Sequence, residues 1–130
     1  MHRALASFVF VFLAAIVLAV VPSKAQEGDL QAILNRVNEL MRTGNSAAAL
    51  IEAKKFEADV KAQFGTDHAN YAIALSNMAA VYRYQNENVE AQELFQRALA
   101  IYEKTLGREH PNVTLTLGGL ARIPVARQVR

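Results

Sequence analysis

The chain has 130 residues, 14 Lys+Arg against 12 Asp+Glu, and no cysteine. That length reads as one domain, and the missing thiols exclude a disulfide framework, so packing alone must hold the fold. The net charge of +2 is too small, and too unevenly placed, to argue for a nucleic-acid or anionic-membrane partner.

The uneven placement begins at the N-terminus. Residues 1–25 read MHRALASFVFVFLAAIVLAVVPSKA. Arg3 supplies a positive start, Ala4–Val21 is an uncharged and mostly apolar run, and Pro22 breaks it. Ser23 and Ala25 then stand at the −3 and −1 positions of a cleavage site before Gln26. This is the pattern of a secretory signal peptide, and it predicts an exported, periplasmic or secreted protein. Without cysteine at the site, lipid attachment of the bacterial lipoprotein kind is excluded. The alternative is an uncleaved anchor through residues 4–21, which just reaches spanning length; a membrane enters only in that case. Arg3 and Lys24 leave with the leader and no acid does, so residues 26–130 carry equal numbers of basic and acidic side chains.

From Asp29 onward the composition codes for helix, and no proline stands between Pro22 and Pro111. Gly44, Gly65, Asn86 and Gly107 punctuate the chain every 21 residues. Both residue types accept the left-handed conformation that ends helices. In the first segment Leu30, Ile33, Leu34, Val37, Leu40 and Met41 make one helical stripe, with Asp29 as a candidate N-cap. The second, Ala47–Phe64, places Leu50, Ala53, Val60 and Phe64 inward, with ion pairs such as Glu57–Lys61 on its outer face. The third, Ala69–Tyr84, carries Ile73, Leu75, Met78, Ala79 and Tyr82; the fourth, Val89–Leu106, carries Ala91, Leu94, Phe95, Ala98 and Tyr102. A fifth starts at Pro111, a good first-turn residue.

The turns repeat as GTDH at 65–68 and GREH at 107–110. Neither histidine has a second ligand at helical spacing, so a metal site is not indicated. Each is expected to cap and pack the helix that follows it. There is no nucleophile context, phosphate loop or convergent acid pair, so neither enzyme activity, a cofactor nor a small-molecule substrate is expected.

A period of 42 built from two helices predicts an all-α solenoid of antiparallel helix pairs, with two full repeats and a partial third. Leu75, Met78, Ala79, Tyr82, Ala91, Phe95 and Ala98 resemble, in type and spacing, the signature of the tetratricopeptide repeat. Small residues mark close helix contacts there and large ones fill the gaps. The 42-residue length and the stretch ALAIYEKTLGREHPNV look like the kinesin light chain type of that repeat. The resemblance spans about residues 30–121, within a repeat domain expected at 26–121. In the first repeat Leu40 stands in for Tyr82 and Ala53 for Phe95; in the third, Pro124 replaces the aromatic. Gly118 and Gly119 weaken that helix further, and 122–130 reads as a basic tail.

The resemblance implies a protein-binding module with a groove lined by the first helix of each pair. Asn77, with its counterpart Asn35, matches the asparagine that bonds a bound peptide's backbone in the family. Arg83 and Tyr84, about two turns on, are expected to add a charged contact and an aromatic anchor on roughly the same side. The counterpart in the third repeat is Gly119. The fifth helix, with Val113, Leu115, Leu117 and Leu120, has no helix after it to cover it. Self-association or docking on an envelope assembly is therefore the alternative role, and a shortened relative of a longer array a further one.

Overall fold

The computed structural model of the chain describes residues 24–125, and almost all of the expected leader lies outside them. By internal contacts the chain divides into residues 1–30 and 31–130. Five helices follow one another: α1 (Lys24–Arg42), α2 (Ser46–Phe64), α3 (Ala69–Tyr84), α4 (Asn88–Leu106) and α5 (Pro111–Ala121). There is no strand among the described residues. Connections of three or four residues force each helix to run back along its predecessor, and α2 packs on α3, α3 on α4 and α4 on α5. The fold is the expected all-α array of helix pairs. One boundary differs. Asp29 lies inside α1 rather than at its cap, because the helix already runs from Lys24. Ala25, Gln26 and Glu27 are helix formers, so nothing there stops it.

The punctuation at 44, 65, 86 and 107 is confirmed at every position, with φ of 80°, 79°, 62° and 85°. Two kinds of turn alternate. After α1 the N–H of Asn45 donates to Leu40 O and that of Gly44 to Met41 O. After α3 the N–H of Glu87 donates to Tyr82 O and that of Asn86 to Arg83 O. Both pairs of bonds are Schellman caps with the left-handed residue just past the helix. Gly65 and Gly107 instead have ψ of −174° and 159°. That combination is open only to glycine, and it turns the chain outward toward the next pair.

The histidines close these turns. His68 Nδ1 accepts from the N–H of Asn70 at 3.1 Å, and His110 Nδ1 from that of Asn112 at 3.2 Å. Each satisfies a first-turn donor that the helix itself cannot. The His68 ring also stacks on Phe64, with centroids 4.7 Å apart. The GxxH stretches are thus a repeated structural turn.

Alanine sits at the closest approaches: Ala49, Ala53, Ala79, Ala91 and Ala98 are fully buried. Val37 of α1, Ala49 and Ala53 of α2 and Val81 of α3 form one core cluster, with Leu40, Met41, Leu50 and Met78 around it. Tyr71, Phe56 and Ala72 are buried as well, although none belongs to the stripes expected from the sequence. Tyr71 ties three helices together. Its hydroxyl donates to Glu57 Oε1 of α2 at 2.8 Å and accepts from Arg97 Nη2 of α4 at 3.3 Å. Glu57 is therefore used across the helix interface and not in the expected pair with Lys61.

On α5 the buried side chains are Val113 and Thr116, and the Thr116 hydroxyl donates back to Asn112 O at 2.7 Å. The helix stops at Ala121, with Arg122 as its cap. Pro124 lies past its end, so the helix does not carry it. Ile123, within the stretch expected as a tail, is buried.

Candidate functional site

The expected groove residues stand on α1 and α3. Asn35 is exposed, and its Oδ1 accepts from Gln31 Nε2 one turn earlier at 3.2 Å. Asn77 is half-buried, and its Nδ2 donates to Ile73 O at 2.8 Å. That bond uses one amide hydrogen of Asn77 and leaves its Oδ1 as an acceptor.

Arg83 and Tyr84 diverge, because neighbouring helical residues point about 100° apart. Arg83 reaches forward to the last helix, with Nη1 at 3.5 Å from Gly119 O. Tyr84 is 54% exposed and reaches back, with its hydroxyl 3.9 Å from where a Cβ on Gly44 would stand. The two do not share one face as expected: each spans to a different neighbouring repeat.

Between α3, α4 and α5 lies a cavity of about 240 Å³, lined by Arg83, Phe95, Thr114, Leu115, Gly118, Gly119 and Arg122. Of these only Arg83 was expected from the sequence as a groove residue. Arg122 falls in the stretch read as a tail. Its register counterpart 42 residues earlier is Ala80, which does not line the cavity, so the repeat alone gave no signal for it.

The cavity is cationic. The ion pairs of the described residues are Arg36–Glu52 (3.3 Å), Arg42–Glu39 (2.6 Å) and Lys104–Asp67 (4.0 Å). Neither Arg83 nor Arg122 belongs to one, and no acidic side chain lines the cavity. A Cβ on Gly119 would meet the ring of Phe95 at 2.8 Å. Gly118 beside it faces open space.

Among the described residues no three His, Cys, Asp or Glu side chains gather where a metal ion would sit. No described helix is long and apolar enough to cross a membrane; the candidate span at 4–21 lies outside the described residues.

The model for the tetratricopeptide repeat matches the chain over residues 29–104 and, overlapping, over 70–128. No curated protein matches it. Paired helices at a 42-residue register, alanines at their crossings and two matches over most of the sequence agree: the chain belongs to the tetratricopeptide repeat family.

Proposed function

We propose that this protein is an exported, non-enzymatic adaptor of the kinesin light chain type, holding a peptide or protein segment along the first helices of its pairs. The family's repeats serve protein–protein interaction, which supports a protein partner. The observation that carries the groove reading is the open cavity where α3 and α5 meet, with two arginines on its wall that belong to none of the ion pairs of the described residues. Asn77 offers an acceptor and Asn35 an amide donor for the backbone of an extended segment. Export rests on the leader pattern of residues 1–25 and predicts a mature N-terminus at Gln26.

A positional-scanning peptide library presented to residues 26–130 tests the groove. Selected peptides are expected to bind, and Asn77→Ala to weaken them by about threefold to tenfold, the worth of one neutral hydrogen bond. Asn35→Ala is expected to act in the same direction. Unchanged binding in both variants would sink the groove reading.

One observation favours a second role. Leu115 and Leu117 on α5 are 73% and 48% exposed, an apolar pair of the kind that joins protein surfaces. Sedimentation separates the two: a concentration-dependent dimer abolished by Leu117→Lys, with peptide binding unchanged, supports self-association.

A further inference from the structure

We infer that two copies of this chain join through α5, the helices lying antiparallel about a twofold axis, with Leu117 and Gly118 near the centre and Arg122 of each copy beside Glu109 of the other. The inference rests on the self-association role and names its geometry. The repeat shows which face of α5 is left open. Ala72, Leu75 and Ala79 on α3 are 0%, 1% and 0% exposed. They lie across that helix from Val81, which packs toward α1 and α2, so the helix that closes over them is α4. One period of 42 residues later the same positions are Thr114, Leu117 and Ala121. All three are exposed. With Gly118, also exposed, they form one stripe at i, i+3, i+4 and i+7.

Charge decides what covers the stripe. No charged residue stands between Pro111 and Ala121, so the stripe suits an equally uncharged surface. The other end of the array is not one: Arg36, Asn38, Glu39 and Arg42 of α1 are exposed, the polar outer face of a capping helix. Head-to-tail stacking would set charge against apolar surface, whereas α5 on α5 is self-complementary and closes at two copies. The flanks fix the direction. Lys104, in the last turn of α4, stands 4.0 Å from Asp67 in the turn that opens α3. Glu109 is the counterpart of Asp67 in the turn that opens α5. A helix covering α5 in the same sense brings a basic residue at its own C-terminal end to Glu109. Arg122 caps the end of α5, so a second α5 supplies that residue, and the twofold axis repeats the contact at the other end. Neither Glu109 nor Arg122 belongs to an ion pair of the described residues. A Cβ on Gly118 would meet nothing within 4 Å, which leaves room for Leu117 of the other copy. A helix of 11 residues presents less than the ~800 Å² per partner of a standard interface, so the dimer is weak and reversible.

Sedimentation equilibrium of residues 26–130 over a concentration series tests the pairing. Glu109→Arg and Arg122→Glu each set like charges together at both ends, and each is expected to weaken the dimer about tenfold. Both side chains are exposed, so the reversals leave the fold intact, which circular dichroism checks. Mixed in equal amounts, the two variants are expected to form a heterodimer as tight as the wild-type dimer, because both contacts then join opposite charges again. Both substitutions in one chain are expected to recover it likewise. A dimer indifferent to the reversals, or one that mixing does not rescue, overturns the antiparallel pairing while self-association survives. A monomer at every concentration overturns both and leaves the stripe to a different protein.

Discussion

A Cβ on Gly119 would stand 2.8 Å from the ring of Phe95. One repeat earlier the same two positions hold Asn77 and Ala53. In the third repeat the Phe95 ring of α4 stands where a side chain at 119 would begin.

Gly119→Ala therefore has two opposing effects. Alanine is the better helix former by about 1 kcal/mol, but overpacking of this kind costs about 1–3 kcal/mol. Net destabilisation is expected in urea unfolding. Gly118→Ala, which meets nothing within 4 Å, is expected to stabilise by up to about 1 kcal/mol. Phe95→Leu should relieve the penalty at 119, so a double-mutant cycle should show strong coupling. Equal effects at 118 and 119 would mean that the ring is not the obstacle.

The two turn types predict opposite tolerance to asparagine. Gly44 sits in a Schellman cap like the one Asn86 closes, so Gly44→Asn is expected to cost only a few tenths of a kcal/mol. Gly65 and Gly107 pair positive φ with extended ψ, which asparagine does not relieve. Asparagine at either position is expected to cost about 1–3 kcal/mol. Thermal unfolding of the three variants decides it, and similar losses at 44 and 65 would contradict it.

His68 and His110 each cap a helix through Nδ1. Removing a side-chain cap costs about 1 kcal/mol, and His68→Ala also forfeits its stack on Phe64. His68→Ala is expected to be the more destabilising of the two. His68→Asp should restore the cap without the stack and fall between alanine and wild type. An aspartate variant no better than alanine would show that the ring contact alone matters.

Burial, and then the neighbouring Glu57 carboxylate, push the Tyr71 hydroxyl above its ordinary value, with Arg97 acting against them. Burial pushes Tyr102 up as well. A raised value means that the folded state holds its proton more tightly than the unfolded chain. The stability is complete below the ordinary tyrosine value of about 10 and is lost as pH rises through the folded value. Urea midpoints are expected to hold near neutrality and fall above about pH 10. Tyr71→Phe should cost about 1 kcal/mol at pH 7 and make that alkaline fall shallower. A midpoint unaffected by Tyr71→Phe would remove the Glu57–Tyr71–Arg97 tie from the account of stability.

The sequence by itself determined what is local or periodic. Glycine and asparagine at equal spacing placed every turn, proline and histidine placed the start of α5, and the alanines with Tyr82 and Phe95 placed the helix pairing. These signals are legible because left-handed backbone, capping and close helix approach each admit few residue types. Tertiary structure decided what depends on a partner distant in the chain. It turned Arg83 toward Gly119 and Tyr84 toward Gly44, drew Glu57 from its own helix to Tyr71, buried Ile123, and brought Arg122 to the cavity that Arg83 and Phe95 share. A helix fixes which way a side chain leaves its axis, but only the packed neighbour decides what that side chain meets.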